Sequence, residues 1–176
     1  MLTLAGCSSL QGTGDKGYIS GDGQITQYDA DDRGDAVGLT GDSVTGEPID
    51  VADLRGKVLV VNVWWSGCGP CRSEMPMLVE AAAEVEGDAS FLGINIRDNS
   101  AAPARAFMEN YGATYPSIYD PSGKALLAFS GEVSPQTVPT TLVLDREGRV
   151  AATVRGPLPS ELTLVELVKE VAAEDG

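Results

Sequence analysis

Val58-Leu59-Val60-Val61-Asn62-Val63-Trp64-Trp65-Ser66-Gly67-Cys68-Gly69-Pro70-Cys71 is the stretch that decides the fold. Residues 58–65 form an almost unbroken apolar run, which reads as a buried strand. Arg72 to Val85 reads as a helix. Between them lie two cysteines separated by two residues. Such a pair can close a small disulfide and reopen it, so it can shuttle between dithiol and disulfide. A Cys-x-x-Cys at a strand-to-helix junction is a redox signature. The competing reading is a permanent structural disulfide. It is weak here, because so small a loop constrains the unfolded chain little.

A chain of 176 residues is long enough for one domain with a well-formed core. Its 26 acidic side chains against 12 basic ones give a net charge of −14. That disfavours nucleic acid, because no surface could neutralise many phosphates. It also argues against polybasic adhesion to anionic lipid. Simple solubility accounts for the excess charge. Histidine is absent, which removes Ser-His-Asp and Cys-His catalysis and any His-ligated zinc, haem or copper. Of the three cysteines only Cys68 and Cys71 lie close together, so a closed zinc site is not expected either. No metal or separate cofactor is called for, since the redox group is the Cys68–Cys71 pair itself.

The third cysteine lies in Leu4-Ala5-Gly6-Cys7-Ser8-Ser9. Small residues before a cysteine at the end of an apolar stretch resemble the lipobox of bacterial lipoproteins. On that reading Cys7 is acylated after cleavage, and residues 1–7 are the remnant of a longer signal segment whose basic start is missing. The alternative is a chance cysteine near a disordered end. No other stretch approaches the roughly 18–20 apolar residues of a membrane span. Residues 8–36, rich in Gly, Asp, Ser and Gln, read as a flexible tether or a short ribbon using Ile19 and Ile25-Thr26. The folded domain occupies 37–176.

Within it, residues 37–40 and 48–51 flank a Gly-containing turn and predict a hairpin. Ser90 to Ile96 predicts a second buried strand. Pro103 opens a helix that reaches Tyr111, with Gly112 at its end. Ser117-Ile118-Tyr119 is a short strand, followed by a turn at 120–123 and a short helix near 124–129. Val138 to Leu144 and Val150 to Val154 are strands joined at Glu147-Gly148. Ser160 caps a last helix running to Ala173, with Leu162, Val165, Leu167, Val168 and Val171 as its stripe. This order gives an α/β mixed sheet with helices on both faces.

Strand, helix and strand, with Cys-x-x-Cys after the first long strand and Pro139 before a later one, resemble the thioredoxin fold. The expected architecture is a mixed central sheet flanked by helices. An N-terminal β-hairpin and a segment inserted after the second core strand are added to it. The match is closest to the TlpA/ResA-like branch of extracytoplasmic thiol–disulfide oxidoreductases and covers residues 36–173. It is carried by the hairpin, Asp53-Leu54-Arg55-Gly56-Lys57, Val60 to Trp64, Cys68 to Pro76, Val138-Pro139-Thr140-Thr141 and Leu144 to Val150. Asn62, where thioredoxin itself has a buried Asp, agrees with that branch. Gly67 departs from it, since members often carry Trp just before the first active cysteine. Trp65 lies nearby but is expected to point elsewhere. Trp64 and Trp65 are read as fold residues, one of them buried and the other helping to shape the active-site surface.

Cys68, at the mouth of the helix, is the expected nucleophile. Unpaired N–H groups and the dipole there bring a thiol from about 8.5 to roughly 3.5–7.5. Cys71, one turn further in, is expected to resolve the mixed disulfide. Gly69 and Pro70 set the helix entry. Glu74 shares the face of Cys71 and matches, in the resemblance, a carboxylate that tunes the thiols. The plainer reading is an acidic residue favoured in a first helical turn. The resemblance further implies a cis Pro139, with the Val138 backbone offered to an extended substrate. It implies a membrane-tethered extracytoplasmic enzyme that reduces protein disulfides such as those of apocytochrome c, with electrons from a membrane thiol protein. The alternatives are a DsbA-like oxidase and a non-catalytic thioredoxin-like binding module.

Overall fold

The structure, a computed structural model, describes residues 18–20, 24–129 and 131–174. Cys7, the rest of segment 1–7 and the first part of the proposed tether lie outside the described residues. The strands are β1 (Tyr18–Ile19), β2 (Ile25–Gln27), β3 (Thr40–Asp42), β4 (Pro48–Asp50), β5 (Val58–Trp64), β6 (Ala89–Asn95), β7 (Ser117–Tyr119), β8 (Thr140–Leu144) and β9 (Val150–Arg155). The α helices are α1 (Gly69–Glu84), α2 (Ala101–Tyr111) and α3 (Glu161–Ala173).

All seven residues of β5 are buried, as its valine-rich run requires. It lies inside a seven-stranded sheet of order β1-β2-β9-β8-β5-β6-β7. It pairs parallel with β6 and antiparallel with β8, so the sheet is mixed. The hairpin β3–β4 forms a separate two-stranded sheet. The segment inserted between β6 and β8 supplies α2, the edge strand β7 and a 3-10 turn over Lys124–Phe129.

Alternate residues of β5 feed two apolar clusters. Val58, Val60 and Trp64 join one with Leu78 of α1, Phe107 of α2 and Leu164 of α3. Leu59, Val61 and Val63 join the other, which is closed by Val37, Leu39, Val51, Leu126 and Phe129. The flanking helices are as expected, but their distribution differs. All three α helices pack on one face, whereas the N-terminal loop and 3-10 turns cover the other. A strand apolar on both faces does not disclose which kind of layer covers each.

Part of the stretch read as tether or ribbon is a ribbon. β1 pairs with β2, and β2 pairs with β9. Arg33 fastens the following loop, its guanidinium meeting Asp145 at 3.1 Å and Glu174 at 2.6 Å. At the chain's far end Ser160 caps α3 through the Thr163 N–H at 3.1 Å. Gly112 ends α2 in the left-handed region at φ 70°, a conformation glycine reaches without steric cost.

Candidate active site

Parallel pairing sets Trp64 opposite Asn95 at the C-terminal ends of β5 and β6. The chain therefore leaves the sheet side by side in two places, at 65–68 and at 96–98. Cys68 is the N-cap of α1, and Pro70 lies in its first turn. There the missing proline N–H leaves no hydrogen bond unmade.

Cys68 and Cys71 are joined by a disulfide, with Cα atoms 5.2 Å apart. The Cys71 N–H donates to Cys68 Sγ at 3.1 Å, so an N–H of the first turn already faces this sulfur. Cys68 keeps 5% exposure and Cys71 none. The two sulfurs are thus unequal: an incoming group reaches the first before the second.

Glu74 lies one turn beyond Cys71 and is fully buried. Its Oε1 accepts from Asn62 Nδ2 at 2.9 Å and its Oε2 from the Leu158 N–H at 3.1 Å. Asn62 Nδ2 also donates to Thr141 Oγ1 at 3.0 Å. Burial pushes the Glu74 carboxyl up to about 7, against the smaller opposing pull of those two hydrogen bonds. Near neutral pH it can therefore hold or release a proton. Burial, with the Glu74 charge behind it, also pushes the Tyr115 phenol far above its ordinary value. That hydroxyl donates to Met75 Sδ at 3.1 Å.

The Val138–Pro139 peptide is cis. The Pro139 carbonyl accepts from the Gly156 N–H at 2.9 Å. Val138, half-buried, packs on the same apolar cluster that holds Cys68 and Cys71. Trp64 is buried, stacked on Phe107 at 4.9 Å and donating through Nε1 to Ser117 Oγ at 3.1 Å. Trp65 does not point away from the site. Its ring lies over Gly67, where an added β-carbon would stand 2.2 Å from Cζ3. Only glycine lets the indole settle beside the residue preceding Cys68.

Sequence reasoning missed Asp98. Its Oδ2 accepts from the Ser66 N–H at 2.9 Å and its Oδ1 from Ser66 Oγ at 2.6 Å. The missed signal was positional, because loops at the carboxyl ends of adjacent parallel strands converge, and Asp98 follows β6 as Ser66 follows β5. Among the described residues no three His, Cys, Asp or Glu side chains converge as a metal site would need.

One sulfur within reach of a partner and a second beneath it, able to displace that partner, define a thiol–disulfide exchange protein on a thioredoxin-like frame. The chain belongs to the Redoxin family, whose model matches residues 30–170. It is 28% identical over 129 residues to the thiol-disulfide oxidoreductase ResA of Bacillus subtilis, covering 73% of this chain and 69% of the relative. It is similar to the structure of a DsbF homologue from Corynebacterium diphtheriae, with 33% identity, a TM-score of 0.80 and coverage of 87% and 96%. A secreted thiol-disulfide isomerase from Corynebacterium glutamicum is 32% identical, with a TM-score of 0.81 and coverage of 89% and 97%. The protein is a thiol–disulfide oxidoreductase.

Proposed function

We propose that this oxidoreductase is a lipid-tethered, extracytoplasmic reductase of protein disulfides, acting on apocytochrome c before haem attachment. The observation that carries the direction is Glu74. A disulfide oxidant of the DsbA kind is strong because its reduced form is stabilised. Here a buried carboxyl one turn from Cys71, ionised in part near neutral pH, opposes a second negative charge on the thiols. That weakens the reduced form as an anion and makes the pair a better electron donor.

In the reduced protein the Cys68 thiolate attacks one sulfur of the substrate disulfide. A Cys68–substrate bond forms, the substrate S–S bond breaks, and the departing sulfur takes up a proton. The Glu74 carboxylate then accepts the Cys71 proton, and the Cys71 sulfur attacks that of Cys68. The mixed disulfide breaks, and the released substrate sulfur is protonated in turn. Two electrons have passed to the substrate, which leaves as a dithiol, and the protein is left with its Cys68–Cys71 disulfide. A membrane thiol protein restores the dithiol by the same exchange. Val138 and Pro139 are the candidate docking edge for an extended substrate segment.

Tethering through acylated Cys7 is supported by Leu4-Ala5-Gly6-Cys7-Ser8-Ser9. The secreted location of the similar Corynebacterium glutamicum protein supports an extracytoplasmic domain. Among the described residues no helix is long and apolar enough to cross a membrane. A second reading, a DsbA-like donor of disulfides, draws on the similar structures called DsbF homologue and isomerase. Equilibration with glutathione separates the two. A potential near or below about −270 mV supports the reductase, and one near −120 mV overturns it. A Cys71→Ser chain, which stalls the mixed disulfide on Cys68, is expected to capture apocytochromes. Capture of many unrelated secreted proteins would favour the oxidant.

A further inference from the structure

The loop that delivers Cys68 to the helix is held from both sides at Ser66. Both carboxylate oxygens of Asp98 accept from this one residue, from its N–H at 2.9 Å and its hydroxyl at 2.6 Å. From the other side the Arg72 guanidinium donates to the Ser66 carbonyl, from Nε at 3.2 Å and Nη2 at 3.1 Å. All three polar groups of Ser66 are therefore engaged, two residues before the sulfur.

Asp98 is itself fixed. It is 6% exposed, and Asn95 Nδ2 donates to its Oδ2 at 2.8 Å. The Tyr119 hydroxyl donates to its carbonyl at 2.9 Å. Its N–H donates to the Ile96 carbonyl at 2.8 Å, closing a three-residue turn around Arg97. Arg97 has φ 65°, and no other described non-glycine residue has positive φ. A side-chain-bearing residue enters that region at a cost. The turn has the effect of aiming the Asp98 carboxylate at Ser66. Arg97 spends its own guanidinium on the Pro135 carbonyl.

We infer that Asp98 is a positioning residue for Cys68: acting through Ser66, it fixes the approach of the sulfur to the N-terminus of α1 and places a carboxylate behind that loop, disfavouring the thiolate. This rests on the reading of Cys68 as the exchanging thiol. The charged groups on the segments that meet here are Arg72 and Glu74 of α1 and Arg97 and Asp98 of the 96–98 turn. Arg97 is committed to the Pro135 carbonyl, and Glu74 acts from below on Cys71. Two charges are tied directly to the Cys68 loop, both at Ser66: the Arg72 guanidinium, which favours a thiolate there, and Asp98, the one anion. Replacing Asp98 alone leaves the Arg72 contact in place.

The test compares Asp98→Asn and Asp98→Ala in the full chain. Asparagine keeps the shape: its Oδ1 can accept from the Ser66 N–H while its Nδ2 donates to the hydroxyl. It removes only the charge. Alanine removes charge and brace together. Iodoacetamide trapping of the reduced proteins across pH reads the Cys68 thiol, and glutathione equilibration reads the potential. Asp98→Asn is expected to lower the Cys68 thiol pKa by about half to one unit. It is expected to raise the equilibrium share of the reduced form about three- to tenfold, roughly 15–30 mV. Asp98→Ala should add a loss of about tenfold in kcat/KM for insulin disulfide reduction, because the loop is no longer held. The inference is overturned if both variants fold, by near-ultraviolet circular dichroism of the oxidised forms, yet keep the wild-type thiol profile and potential. It is also overturned if Asp98→Asn lowers only the melting temperature. A wild-type protein whose Cys68 resists alkylation at every pH would sink the exchange reading itself, whatever the variants do.

Discussion

Replacing Glu74 with glutamine removes one titration from the core and leaves its shape nearly unchanged. The folded carboxyl sits at about 7, against an ordinary 4.5. Between those two values the folded protein holds a proton that the unfolded chain has released, so stability falls as pH rises through this window. It is flat below the unfolded value and flat again above the folded one. A span of roughly 2.5 pH units at about 1.4 kcal/mol each comes to roughly 3 to 4 kcal/mol in full, about 3 kcal/mol of it between pH 4.5 and 8. Glu74→Gln lacks this loss. The stability of wild type minus that of the variant should therefore drop by roughly 3 kcal/mol between pH 4.5 and 8. Urea unfolding in steps of half a pH unit measures it. The disulfide stays closed, so neither Cys68 nor Cys71 titrates in either state, and every group common to both proteins cancels. A constant offset from glutamine cancels too. That offset should be modest, because Asn62 Oδ1 has no partner among the described residues and a turned amide can offer it to the new side chain. A difference that stays flat across the window would refute the reasoning. It would mean that Glu74 is already an anion at pH 5 and has no proton to trade with Cys71 at neutral pH.

Two further substitutions probe the fold and the loop. Arg33→Ala removes a side chain that is 2% exposed, bound to Asp145 and Glu174 and donating from Nε to the Tyr28 carbonyl at 3.2 Å. Asp145 keeps Arg149 at 2.8 Å, so the expected cost is about 2–4 kcal/mol in urea unfolding, short of a fully orphaned charge. Hydrogen exchange should show the β2–β9 pairing opening first. Gly67→Ala sets a β-carbon 2.2 Å from Trp65 Cζ3 and forces the indole off its seat. Acrylamide quenching of tryptophan fluorescence should rise, since Trp64 stays buried; unchanged quenching would mean that the ring never rested there.

The core of this fold was legible because its signals are local. A run of valines ending in Cys-x-x-Cys marks β5 and the start of α1. A serine before an apolar stripe marks α3, and a glycine after Tyr111 marks the end of α2. Cys68 and Cys71 needed nothing more than their spacing. The rest of the site depends on register. Ser66 and Asp98 meet because β5 and β6 run parallel with Trp64 beside Asn95, and nothing near either residue in sequence says so. Arg33 reaches across 112 positions to Asp145, which is why the loop after the ribbon read as tether. One buried tryptophan and one at the active-site surface were expected and are found in Trp64 and Trp65, but the direction of the Trp65 ring was not legible. The glycine two residues on appeared as a missing tryptophan, when it is the vacancy that the neighbouring ring fills.

Glu74 shows why burial had to be seen and could not be read. An acidic residue in the first turns of a helix is ordinary on a surface, where the dipole favours its charge. In an apolar core the same carboxyl is costly as an anion and tolerable as an acid. What separates the cases is which side of α1 faces the sheet, and here that side carries Cys71, Glu74, Met75, Leu78 and Ala81. The protein supplies enough donors, from Asn62 and Leu158, to bring the ionised form within reach of neutral pH, and not enough to make it permanent. More donors would leave a fixed charge that cannot return a proton. Fewer would leave an acid that never gives one up. The same balance bears on electron flow. On the proposed mechanism, a carboxyl poised this way relieves Cys71 of its proton in the resolving step while still making a standing thiolate unfavourable, and those are the two demands that the proposed reductase role places on it.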